Sequence, residues 1–197
     1  MASTRRKAGE ADDALAGLYG APGHLIRRCQ QIAVAIFMDE TKAFELTPVQ
    51  YAALVAVRAR PGIDQTRLVE LIALDRSTIG KIVERLEAKA LLQRRTGTTD
   101  KRTKRLYPTA RGKALLDRIA EAVARAQTRI LAPLAPAERR RFMTMLARLV
   151  DLNNTLSRAP LRRSNHALRT QAATSTLPRA GARAKMAARE GRAGREP

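Results

Sequence analysis

The 197-residue chain has no tryptophan, and three Phe and three Tyr are its only other large aromatics. Platforms that hold single-stranded nucleic acid by base stacking are built from such faces, so that mode is excluded. Cysteine occurs once, as Cys29, which leaves neither an intrachain disulfide framework nor a cysteine-rich zinc site. Two histidines, His24 and His166, are too few for a histidine metal cluster. The longest apolar run, Ile32 to Met38, falls far short of the roughly 18 residues that span a bilayer, so no membrane partner is expected. The opening Met-Ala-Ser-Thr-Arg-Arg-Lys has no apolar core of signal-peptide length, and a reducing cytoplasm is the expected location. A glycine-rich phosphate loop, a zinc-ligand spacing and a nucleophile with a matched base are all missing. Cys29 and His24 share a helix without a third group, so no catalytic residue, metal or cofactor is assigned.

What the chain does have is positive charge: 38 Lys and Arg against 18 Asp and Glu, a net +20. Charge of that size concerns partners rather than fold, and points first to nucleic acid. Its distribution is uneven. Residues 1–22 are balanced, residues 23–156 carry +12, and residues 157–197 carry +8. The last stretch is rich in Ala, Arg, Gly, Ser and Thr, with Leu161, Leu168, Leu177 and Met186 among its few large apolar residues. Such a chain cannot bury enough surface to offset its ordering entropy, so 158–197 is expected to be a basic disordered tail. It either lends sequence-independent phosphate affinity or has no selected role. Residues 1–21 are expected to be a disordered arm, leaving 22–157 as the folded domain.

Within that domain the hydrophobic period is helical. From Gly23 to Ala43, Leu25, Ile26, Cys29, Ile32, Ala33, Ile36 and Phe37 trace one stripe. Thr47-Pro48 reads as an N-cap followed by a first-turn proline, opening a central helix that Pro61-Gly62 ends. Gln65 to Ile72 forms a short helix and Ala73-Leu74-Asp75 a tight turn, with Asp75 as N-cap of a helix from Arg76 to Lys89. Ile79, Ile82, Val83 and Leu86 form the buried stripe of that helix, and Arg76, Ser77, Thr78, Lys81 and Arg85 its polar face. This is a helix-turn-helix pattern. Leu92–Thr96 and Thr103–Tyr107 are expected strands around Gly97–Arg102, with six basic residues and one acid between Arg94 and Arg105. A cationic hairpin beside a helix-turn-helix is a wing, suited to lie along phosphates or enter the minor groove. Pro108-Thr109 restarts helix to about Ala132, and a last helix runs from Ala137 to about Ser157. Its Phe142, Met145, Leu146, Leu149, Leu152 and Leu156, with the first helix, give more apolar face than the winged unit can cover. The surplus points to a second copy of the chain.

These residues together resemble the MarR family of bacterial transcriptional regulators over roughly residues 22–156. The most specific portion is Leu74-Asp75-Arg76-Ser77-Thr78-Ile79, Val83-Glu84-Arg85-Leu86-Glu87-Ala88-Lys89, Leu91, Arg94-Arg95, Asp100-Lys101-Arg102 and Thr109-Ala110-Arg111-Gly112. The sequence departs from the family pattern at Lys101, where Arg is usual at the wing tip, and at Pro108, where Leu is usual. Lys keeps the charge but loses the planar fork, so minor-groove contact should discriminate less well here. The resemblance implies a mainly α fold: a winged helix-turn-helix with additional N- and C-terminal dimerisation helices.

It also implies function. Two copies would set one recognition helix each into successive major grooves of double-stranded DNA at a roughly palindromic operator, commonly as a repressor on the nucleoid. Ser77, Thr78 and Lys81 are the expected groove contacts, with Arg76 at base edges or phosphate. Thr66, Arg94, Lys104 and Arg105 are expected phosphate contacts that position without specifying, with Lys101 and Arg102 at the wing tip. Asp100 paired with Arg102 or Arg94 reads as structural. Family members commonly bind small anionic aromatics between the dimerisation helices and the winged unit. His24, Arg27, Arg28 and Cys29 on the first helix, with Tyr51 on the second, are the expected ligand residues, an Arg holding the carboxylate by two parallel hydrogen bonds. Two other readings stay open: redox sensing through Cys29, and a less specific architectural nucleic-acid-binding protein. The position of Cys29 on the apolar stripe, where a thiol packs inertly, weighs against the first. A discrete helix-turn-helix with few aromatics weighs against the second.

Overall fold

The computed structural model describes residues 13, 15–96 and 104–162. Its six main helices are α1 (Pro22–Glu40), α2 (Pro48–Ala59), α3 (Gln65–Ile72), α4 (Arg76–Ala88), α5 (Ala110–Ile130) and α6 (Pro136–Leu152). Three short strands, β1 (Ile63–Asp64), β2 (Leu92–Thr96) and β3 (Lys104–Pro108), form one antiparallel sheet in the order β1-β3-β2. This is the mainly α winged helix-turn-helix expected from the sequence. No helix among the described residues is long and apolar enough to cross a membrane.

Local chemistry sets most of the boundaries. Thr47 and Gln50 form a reciprocal capping box at α2, each side chain accepting from the other's backbone N–H at 3.3 and 3.2 Å. Asp64 caps α3 by accepting from Arg67 N–H at 2.8 Å. Thr109 caps α5 by accepting from Gly112 N–H at 2.9 Å. Asp75 occupies the N-cap position of α4, but its carboxylate makes no cap hydrogen bond, so the capping role read from the sequence is confined to its backbone. There the Asp75 carbonyl accepts from Thr78 N–H at 3.0 Å.

The core sits where α2, α3, α4, the sheet and the first half of α5 meet. Leu54, Val57, Leu68, Val83, Leu86, Leu91, Leu106 and Ile119 are fully buried there. Each large aliphatic side chain so placed stabilises the fold by about 1.5–3 kcal/mol relative to exposure. The buried stripe of α4 is Ile79, Ile82, Val83 and Leu86, as its period predicts. Strand β1 was not anticipated. Two residues carry no pattern of their own, and Ile63–Asp64 becomes a strand only by pairing with Leu106 and Arg105. Strand β3 runs one residue further than expected, to Pro108 opposite Leu92, and Thr109 then caps α5.

Helix α1 runs antiparallel to α5. Arg125 pairs with Glu40 at 3.1 Å, Arg129 with both Asp39 and Glu40, and Arg118 lies 5.9 Å from the Phe44 ring centre. This arrangement packs the C-terminal half of α1 and leaves Leu25, Ile26 and Ile32 more than half exposed; Phe37 is the one buried residue of the helix. Helix α6 buries none of its residues and exposes Met143, Met145, Leu146, Leu149, Val150 and Leu152.

Residues 15–20, within the expected N-terminal arm, are helical. Helix α6 stops at Leu152 rather than near Ser157, where Asn153 turns its side chain back to the Leu149 carbonyl at 2.8 Å. Asn154 then holds Leu161 from both sides, accepting its N–H at 2.8 Å and donating to its carbonyl at 3.1 Å. These bonds tie Leu161 to the end of the helical part of the chain. The remainder of the expected tail, 163–197, lies outside the described residues.

Candidate nucleic-acid interface

Helix α4 is placed by its apolar side, and that placement decides what its other side offers. With Ile79, Ile82, Val83 and Leu86 in the core, Arg76, Ser77, Thr78 and Lys81 project outward and are exposed. No side chain among the described residues pairs with any of these four. Ala73, at the turn, adopts a left-handed conformation (φ 50°) that aims the start of α4 away from α3. Thr66, in the first turn of α3, is exposed beside it. A helix presenting two hydroxyls and two cations that no described side chain engages can donate to base edges and to phosphate oxygens.

The wing divides its cations by strand alternation. The pairing of Arg94 with Leu106, and of Leu92 with Pro108, puts Arg94 on the face that carries the buried residues. There Glu87, in the last turn of α4, accepts the Arg94 backbone N–H at 2.9 Å and its Nε–H at 2.6 Å. Arg94 thus pairs with Glu87; Asp100 and Arg102, which the sequence sets as a structural pairing with this strand, lie outside the described residues. Arg95 and Arg105 stand opposite each other on the outer face, both exposed. Arg95 lies over the Tyr107 ring, 5.0 Å from its centre, and Arg105 donates to the Gly62 carbonyl at 3.0 Å. Both contacts orient the side chains without neutralising them. Like charges directly opposite in a sheet repel, so this pair is set to receive an anion between or beside its members. Arg95 was not among the expected contacts, although the period-two alternation that buries Leu92 also turns residue 95 outward. Lys104 donates to Thr96 at 3.3 Å and remains exposed. Lys101 and Arg102 lie outside the described residues.

The expected ligand residues are not brought together within one chain. Tyr51 meets Phe37, ring centres 5.8 Å apart, and Phe37 lies thirteen residues after His24. At 1.5 Å per residue that is about 20 Å along α1. His24 instead tilts against Tyr19 at 5.7 Å, with its Nε2 enclosed and without a hydrogen-bond partner among the described residues. Arg27 donates to Gln31 at 3.0 Å, and Arg28 and Cys29 are exposed. Within the single chain the thiol is thus exposed, as are Leu25, Ile26 and Ile32 of the same stripe. Among the described residues no three His, Cys, Asp or Glu side chains are grouped to hold a metal ion.

Known proteins match this arrangement. The sequence pattern of the MarR family matches residues 46–104, from the start of α2 into β3. The HTH-type transcriptional repressor NicR of Pseudomonas putida is 32% identical over 129 residues, covering 66% of this chain and 82% of NicR. Bordetella bronchiseptica BpsR, whose DNA binding is regulated by 6-hydroxynicotinic acid, superimposes with a TM-score of 0.64 at 29% identity, covering 68% of this chain and 96% of BpsR. Streptomyces coelicolor PcaV, in complex with its natural ligand, gives 0.60 at 36% identity, covering 68% of this chain and 94% of PcaV. With sequence, fold and the exposed recognition face in agreement, the chain belongs to the MarR family of transcriptional regulators.

Proposed function

We propose that the protein is a homodimeric, ligand-responsive repressor that reads a palindromic operator in double-stranded DNA and is released by a small aromatic carboxylate. The observation that carries the DNA reading is the row Arg76, Ser77, Thr78 and Lys81, exposed on α4 and unclaimed by any described side chain. In this reading the four enter the major groove. Thr66, Lys104 and Arg105, with Lys101 and Arg102, hold phosphates, and Arg95 joins them. The dimer is supported by α6, which buries nothing while exposing six large apolar side chains, and by Leu25, Ile26 and Ile32 on α1. Exposed apolar area of that extent is stable in water when another chain covers it. The protein acts as a regulator rather than an enzyme, on the nucleoid in the cytoplasm.

The ligand reading is supported by BpsR, whose DNA binding responds to 6-hydroxynicotinic acid, an aromatic carboxylic acid. Arg27 and Arg28 supply the guanidinium for such a carboxylate, with His24, Cys29 and Tyr51 around the ring. Because about 20 Å of α1 separates His24 from the Tyr51 of the same chain, a pocket joining them needs the second copy. The test is DNA binding by the full-length protein with 6-hydroxynicotinate, nicotinate, benzoate and 4-hydroxybenzoate. One of these should weaken binding at least tenfold and raise the melting temperature, and Arg27→Ala or Arg28→Ala should remove both effects. If none shifts melting or DNA affinity at millimolar concentration while DNA binding is intact, the effector belongs to another chemical class.

A further inference from the structure

We propose that Glu87 and Arg94 form a positioning pair that fixes the wing against the recognition helix, and that this pair governs sequence discrimination without adding a phosphate contact. The inference rests on the reading that α4 and the wing face DNA. Its starting point is an oddity of charge. A helix that must approach phosphates carries a carboxylate in its last turn, where it would repel them if left free. That carboxylate is fully engaged: one oxygen accepts the Arg94 backbone N–H at 2.9 Å and the other its Nε–H at 2.6 Å, with both side chains 30% exposed. Two bonds from one carboxylate to the main chain and side chain of one residue tie the helix end to the strand at two points. A charge-assisted bond of this kind is also stronger than a neutral one.

The position of the pair gives it leverage. The chain passes from α4 to β2 through Lys89-Ala90-Leu91, with Ala90 in a left-handed conformation (φ 54°), and Arg94 is the third residue of the strand. Below the pair, Leu86, Leu91, Leu92 and Leu106 are buried; above it, Arg95, Thr96 and Lys104 are exposed. Glu87–Arg94 is thus the polar link at the root of the hairpin. A rotation there carries Arg95, Thr96 and Lys104 relative to Arg76, Ser77, Thr78 and Lys81. Correct spacing between these two groups of contacts is needed when both must meet one duplex in register, and matters little when cations touch phosphates of any sequence. The Arg94 charge is spent on Glu87, so it displaces no counterion from DNA.

The experiment uses the full-length protein and two duplexes: one selected by the wild-type protein from a randomised pool, and a scrambled duplex of equal composition. Arg94→Ala should weaken binding to the selected duplex about tenfold and to the scrambled duplex less than twofold. Its slope of log affinity against log salt should stay that of the wild type. Loss of a true phosphate contact lowers that slope by about 0.9. Glu87→Gln, which keeps the side-chain volume and can still accept the Arg94 N–H, should also lose selected-duplex affinity preferentially, with a melting temperature near wild type. Equal losses on both duplexes with Arg94→Ala, or a gain on both with Glu87→Gln, would overturn the proposal, since either shows Arg94 acting as a DNA-facing charge or the fold simply failing. If the wild-type protein selects no sequence, the DNA-reading function itself falls.

Discussion

Gly112, in the first turn of α5, lies so close to the Leu91 backbone that a Cβ on it would stand 2.0 Å from the Leu91 carbonyl oxygen. That same oxygen accepts the Thr109 N–H at 3.1 Å, while the Thr109 hydroxyl donates to the Ala90 carbonyl at 2.7 Å. The start of α5 is thereby fastened to the turn that joins the recognition helix to the wing. The obstacle is backbone, which cannot swing aside as a flexible side chain does. Gly112→Ala should therefore cost at least about 3 kcal/mol, the upper end for overpacking. Chemical denaturation of the purified variant checks this, and a change below about 1 kcal/mol would mean that the turn yields freely.

Ala73 and Ala90 bracket α4, and both hold φ near 50° with a side chain that disfavours it. Replacing either with Gly removes the steric cost but enlarges the entropy of the unfolded chain. The net expectation is a gain of about 0.5–1 kcal/mol for each, read as a raised denaturation midpoint.

The two groups of cations should separate by salt and sequence. Lys81→Ala should reduce affinity for a selected duplex by about 1–3 kcal/mol and relax specificity at the bases it meets. Arg95→Ala and Arg105→Ala should each weaken binding to every sequence alike and lower the salt slope by about 0.9. Fluorescence anisotropy at four or five salt concentrations distinguishes the patterns. Unchanged affinity in all three variants at low salt would remove this surface from the interface.

Asp39 is held below the usual carboxylate range, chiefly by the hydrogen bond from Arg129 and then by its charge, while the same bond raises Arg129. A carboxylate with a lowered folded pKa contributes stability above its unfolded value, and that contribution is lost as pH falls through the folded one. The pair is solvent-exposed, so the effect is small and weakened by salt. Asp39→Asn should lower the melting temperature slightly at neutral pH, and the difference from wild type should close below the ordinary Asp range. A difference that persists in strong acid would mean Asp39 acts by packing.

The apolar face of α6 should report on assembly. Leu149→Glu combined with Met145→Glu places charges on two half-exposed positions of a helix that buries none of its own residues. Sedimentation or light scattering should find the wild-type protein as a dimer and the variant shifted toward monomer, with operator affinity lost. A wild-type monomer at micromolar concentration would refute the second-copy reading.

Much of this protein follows from its sequence because helical order is local. The caps at Thr47 and Thr109 and the stripe Ile79, Ile82, Val83 and Leu86 depend on neighbours three or four residues away, and all appear where the sequence puts them. So does the outward face of α4, since burying one side of a helix exposes the other. Tertiary pairing alone decided the rest. Strand β1 exists through its register with Leu106 and Arg105. Arg94 turns inward to Glu87, and Arg95 outward, because strand pairing buries Leu92 and Leu106 on one face. His24 and Tyr51 are kept apart by the antiparallel packing of α1 on α5, which assigns Phe37 to Tyr51. Periodicity tells which residues share a face; only packing against the other elements tells what that face meets.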